Sequence, residues 1–217
     1  MKKNSIVVEV AQPLPETMAA MVLIEKTLRI NNIEIDLSIA YYYEEGEELG
    51  KYLPNNKGQG HRIFVNPMNC KNQINSLCID PNCPEAYCSG YTSDPTLFGV
   101  TIHEFCHLLQ FKIFENIVPD FGKAFSYERL YLNDYANNGY LDELAEIMSL
   151  YITNPYLLKL ISKPHFDFLK KFFKSPVPCS SGRCIEIFSG FPIHVKKDLK
   201  ERWGIVFNID TEKFEKI

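Results

Sequence analysis

Apolar residues recur along this chain with two different periods, and the switches between them lay out its elements. In residues 16–30 (ETMAAMVLIEKTLRI) they return every three or four positions, with Pro13 and Pro15 just ahead, which predicts an amphipathic helix. Residues 33–43 (IEIDLSIAYYY) alternate apolar with polar before turning aromatic, the pattern of a strand. Residues 44–60 are polar and rich in Gly and Asn, and read as a loop or hairpin connection. It leads to a short strand at 62–65 (RIFV), which Asn66-Pro67 stops. An irregular, Cys-rich stretch occupies residues 69–93. Asp94-Pro95 then supplies a cap and a first-turn proline for a strongly apolar helix reaching about Phe114. Further helices are expected at 123–135, at 140–153 up to the Asn154-Pro155 stop, and at 156–173 with a break near Pro164. The tail should hold short strands at 185–188 and 205–209 around a charged helix at 195–203.

These elements describe an α+β fold with a mainly helical C-terminal part. The 217 residues, 46% of them hydrophobic, suffice for one domain with one core. Within it, residues 1–68 form a helix-and-sheet part, 69–93 a Cys-rich loop, 94–156 the helices that carry the chemistry, and 157–217 the terminal helices and strands. A net charge of −4 and no basic run longer than Lys170-Lys171 or Lys196-Lys197 argue against a nucleic-acid partner. No stretch approaches the roughly 20 apolar residues of a membrane span. The basic start Met1-Lys2-Lys3 is followed by an apolar run already broken at Glu9, unlike an export signal. A cytoplasmic or phage-associated protein is therefore expected, and the abundance of Lys, Asn, Ile and Phe suits a phage or a low-GC bacterium.

The chemistry concentrates at His103-Glu104-Phe105-Cys106-His107. On a helix, residues i and i+4 share a face, so His103 and His107 can aim both imidazoles at one zinc ion. Glu104, rotated by about 100° from His103, suits a general base acting beside the metal rather than a ligand. Phe98, Ile102, Phe105 and Leu109 form an apolar stripe on the opposite side, while Gly99 and Gln110 flank the histidines and leave room for substrate. Cys106 points away from the histidine pair and reads as a small buried residue. A catalytic zinc needs a third protein ligand, and Leu141-Asp142-Glu143-Leu144-Ala145-Glu146 supplies carboxylates. Asp142, Ala145, Glu146 and Ser149 share one small polar face, so Asp142 or Glu146 is favoured over Glu143.

The segments HEFCH and DELAEIMSLYITNP resemble gluzincin zinc metallopeptidases of the anthrax-lethal-factor and Pro-Pro-endopeptidase type. The resemblance covers roughly residues 94–156 and implies a small zincin-like domain, in which a mixed sheet with an edge strand packs on the HExxH helix. It implies Asp142 as the third zinc ligand, Glu146 as the carboxylate behind a histidine ligand, and Tyr135, seven residues before Asp142, as a stabiliser of the transition state. Compact metallopeptidases that cut phage repressors are also similar, with a proline where Pro155 stands. The departure is Asp at a ligand position where these families carry Glu, one methylene longer.

The expected function is hydrolysis of a peptide or protein substrate by a zinc-activated water, with Glu104 as base and Tyr135 at the oxyanion. Residues 62–65 are the expected sheet edge for an extended substrate. The alternative is a non-catalytic zinc-binding structural or assembly protein of phage type that retains the fold. Glu104 favours catalysis, because a purely structural zinc does not need it. Cys70, Cys78, Cys83 and Cys88 leave open a second, structural zinc, disulfides that could include Cys179 and Cys184, or reduced thiols. His61, His165 and His194 lack ligand spacing and read as surface or core residues.

Overall fold

A computed structural model of the chain describes residues 5–9, 12–43, 49–54, 60–68, 70, 97–130, 132, 139–174, 199–208, 210–211 and 213–217. Strand β1 (Ser5–Val8) leads into helix α1 (Pro15–Asn31) and strand β2 (Asp36–Tyr41), which pairs with β1 in parallel. Pro15 starts α1 at a position where its missing N–H costs nothing. Asn32 closes it in the left-handed region at φ 55°, and the Ile33 N–H returns to the Leu28 carbonyl. The inward stripe of α1 (Ala20, Leu23, Ile24, Thr27, Leu28) follows the 3–4 period of the sequence.

Strands β3 (Gly50–Leu53) and β4 (His61–Val65) complete a four-stranded sheet of order β1-β2-β4-β3. β4 runs parallel to β2 and antiparallel to β3, so the sheet is mixed. This corrects one expectation: residues 62–65 are not the edge. β4 lies inside, with Ile63 and Val65 fully buried, and the edge on its far side is β3, drawn from the polar 44–60 stretch. Periodicity passed over β3 because only Tyr52 and Leu53 are large apolar residues among its four.

Helix α2 (Leu97–Leu108) packs on α1, β3 and β4 with one side and on α4 with the other. It continues into a π turn over Leu109–Ile113, closed by the Phe114 N–H on the Leu109 carbonyl at 2.8 Å. Because α2 is covered on both sides, almost every residue in it is buried, including Phe98, Ile102 and Phe105. Helix α3 (Ile117–Phe125) corrects the expected 123–135 helix. Ile117, Phe121 and Phe125, at i, i+4 and i+8, carry its buried face, and Pro119 is tolerated within its first turn. Beyond a turn at 126–127, residues 128–130 are non-helical.

Helix α4 (Tyr140–Thr153) matches its expected bounds. The Asn154 side chain accepts the Leu157 N–H at 3.0 Å, capping α5 (Pro155–Ile161), and α6 (Lys163–Leu169) follows. Phe114, Phe121, Phe125, Tyr151, Phe168 and Phe173 fill the core between the helices. Residues 199–203 are helical, and β5 (Ile205–Asn208) forms an antiparallel hairpin with β6 (Lys213–Lys216). The expected strand at 185–188 lies outside the described residues. No helix among the described residues is long and apolar enough to cross a membrane.

Candidate metal centre

Two helices build the site. α2 presents His103 and His107 one turn apart, and their Nε2 atoms approach to 3.0 Å. The rings meet edge to face with centroids 4.7 Å apart. From the first turn of α4, Asp142 Oδ1 lies 3.3 Å from His107 Nε2 and 3.7 Å from His103 Nε2. Two imidazole nitrogens and one carboxylate oxygen, all within 4.8 Å of one another, form a donor set that could hold a metal ion. Small residues make the approach possible. Ala145 and Ser149 lie on the same α4 face, and Ser149 Oγ sits 3.5 Å from Cys106 Sγ on α2.

Buried partners fix both histidines. His103 Nδ1 donates to Glu146 Oε1 at 2.6 Å, which turns Nε2 toward the site. Gln110 Oε1 faces His107 Nδ1 at 3.4 Å, and its amide nitrogen donates to the Leu141 carbonyl at 3.1 Å. Gln110 therefore ties the π turn after α2 to α4 and steadies a histidine instead of leaving room for substrate. Sequence spacing alone hides this, because the amide's partners belong to different elements. Burial disfavours a charged His103, but the Asp142 carboxylate, the hydrogen bond to Glu146, and the charges of Glu146 and Glu104 outweigh it and lift its pKa to about 10. The same histidines hold the Asp142 carboxyl well below its usual range.

Glu104 is buried beside the histidines. Desolvation raises its pKa, opposed by the charges of His103 and His107 and by a hydrogen bond from the Tyr52 backbone N–H. Glu143 turns away from the site. Its buried carboxylate accepts Arg129 Nε and the Leu130 N–H, each at 2.6 Å. Three carboxylates within one helical turn and a half thus have three different sets of partners.

Cys106 is fully buried, and burial pushes its thiol pKa up, as expected of an inert core residue. Cys70 is buried too, whereas Cys78, Cys83, Cys88, Cys179 and Cys184 lie outside the described residues, as do Tyr135 and His194. His61 is half-buried at the end of β4 beside Tyr52, and His165 is a core residue stacked on Phe125. Gly50 and Tyr52, which border Glu104, carried no sequence signal.

No protein-family model and no curated protein matches the chain. Among solved structures, the chain is similar to a Bacteroides caccae protein described provisionally as a zinc-binding metallo-peptidase, with 12% identity, a TM-score of 0.34, and coverage of 93% of this chain and 80% of that one.

Proposed function

We propose that this chain is a zinc-dependent peptidase whose metal is held by His103, His107 and Asp142. The observation that carries the reading is the convergence of three ligand atoms from two helices, with a buried carboxylate, Glu104, alongside them. The donor set suits zinc, which takes imidazole nitrogen and carboxylate oxygen and keeps a position open in catalytic sites. Bound zinc would supply Lewis acidity and make water acidic enough to ionise near neutral pH.

The chain's own residues would do the rest. Glu104, desolvated and thus a stronger base than a free carboxylate, takes a proton from water and returns it to the leaving amine. Glu146 keeps His103 in the tautomer that leaves Nε2 bare. Tyr135 is proposed to donate to the oxyanion that develops on the substrate carbonyl. The substrate would be an extended peptide lying along β3, the edge strand beside Glu104.

The test combines metal analysis with cleavage. Wild-type protein incubated with a peptide library and read by mass spectrometry should cut peptides and contain zinc. Glu104→Gln should keep the zinc and lose cleavage by a factor of about 100 or more. Undiminished cleavage by Glu104→Gln, or a wild type that takes up no zinc, would refute the reading.

A further inference from the structure

The register of the edge strand reveals a second feature of the site. Asn66 donates its N–H to the Leu49 carbonyl at 2.8 Å, just beyond the Gly50–Val65 pair. Antiparallel strands alternate between residues that bond across the ladder and residues that face outward. Leu49 bonds inward, so Gly50 and Tyr52 turn their backbone groups away from β4. The Tyr52 N–H on this outer side is the one that donates to the Glu104 carboxylate.

Gly50 makes that contact possible. A Cβ added there would stand 2.5 Å from Val100 Cγ1 and 3.1 Å from Glu104 Cγ. The first distance is shorter than real carbon contacts, and Val100 is a short, buried, β-branched residue with little freedom to turn aside. Only a residue without a side chain lets β3 come this close to α2. From these two contacts we infer that Gly50 and the Tyr52 amide are positioning elements of the site, holding the Glu104 carboxylate in place beside the histidines. The inference rests on the proposed peptidase reading. It adds a consequence for substrate: a peptide added to this edge finds the Tyr52 N–H already taken, so Gly50 must supply the outward backbone bonds next to it.

The test uses acetohydroxamate, a chelator that binds zinc and shares its proton with a neighbouring carboxylate. Its affinity for the zinc-loaded full chain would be measured by calorimetry, with zinc content checked in each variant. Glu104→Gln sets the size of the effect. Gly50→Ala should keep its zinc and bind acetohydroxamate about tenfold more weakly, approaching Glu104→Gln. Since Gly50→Ala could also disturb folding, a second variant replaces only the Tyr52 amide with an ester, removing the N–H and leaving every side chain in place. It should show the same loss with unchanged zinc. Wild-type affinity in the ester variant, while Glu104→Gln is weakened, would overturn this inference and leave the peptidase reading standing. A wild type that takes up no zinc would overturn both.

Discussion

Replacing Glu143 with Gln separates the three carboxylates of α4 by what each one holds. Glu143 has a fully buried side chain that accepts two donors at 2.6 Å, Arg129 Nε and the Leu130 N–H. Gln keeps the shape but offers one acceptor oxygen, so its amide group must face one of those two donors. If the oxygen stays on Arg129, the Leu130 N–H is left buried without a partner, which costs about 1–3 kcal/mol. If the oxygen moves to Leu130, the hydrogen bond from Arg129 is lost instead, and the ion pair is lost in either orientation. That pair has one partly exposed partner, since the Arg129 side chain is 31% exposed, which limits it to roughly 1 kcal/mol. Loss of the charge-assisted character weakens whichever bond survives. Together these terms give a destabilisation of roughly 2–3 kcal/mol. For a chain of this length that lowers the melting temperature by roughly 4–12 °C. The assay is thermal unfolding by circular dichroism on wild type and Glu143→Gln, with zinc content measured on the same samples. The expected result is a lower melting temperature at unchanged zinc content. A variant that loses its zinc would make Glu143 the ligand and refute the assignment of Asp142, and an unchanged melting temperature at unchanged zinc content would refute the role worked out here for Glu143.

Asp142→Ala and His107→Ala should each reduce bound zinc well below one ion per chain after dialysis, read by elemental analysis. Glu146→Gln should retain the ion but bind it about 10–100-fold more weakly in a chelator competition, because a poorer acceptor then holds the His103 ring. Removing zinc with a chelator should lower the melting temperature, and restoring the metal should raise it again, since a ligand that binds only the folded state stabilises it by mass action. Burial depresses the His165 pKa from 6.5 to about 4, so the folded state favours the neutral ring. The resulting stability is complete above pH 6.5 and is lost as pH falls toward 4, by roughly 2–3 kcal/mol. Urea unfolding at several pH values should show that slope in wild type and a flatter one in His165→Phe; equal slopes would refute the assignment.

The sequence by itself determined what local periodicity and helix pitch can determine. The spacing of His103 and His107 is a property of one helix, so the shared face was legible before any fold. The same holds for α1, α4 and the breaks at Asn154-Pro155 and near Pro164, where a period or a missing N–H acts within a few residues. The expected helix at 123–135 failed because its starting signal lay earlier, in the i, i+4 spacing of Ile117, Phe121 and Phe125.

Only the tertiary structure decided which groups from distant segments meet. Helix projection left Asp142 and Glu146 open, and where each carboxylate lands depends on how α4 packs on α2, with Ser149 Oγ 3.5 Å from Cys106 Sγ. That packing sets Asp142 beside the two Nε2 atoms and Glu146 behind His103. Strand order was equally out of reach. Residues 62–65 are the expected edge, yet β4 is paired on both sides and β3 takes the edge position next to it. Gly50 is the plainest case. Nothing around it in the sequence marks it, because its role depends on Val100 and Glu104, some fifty positions away and brought near only when β3 lies against α2.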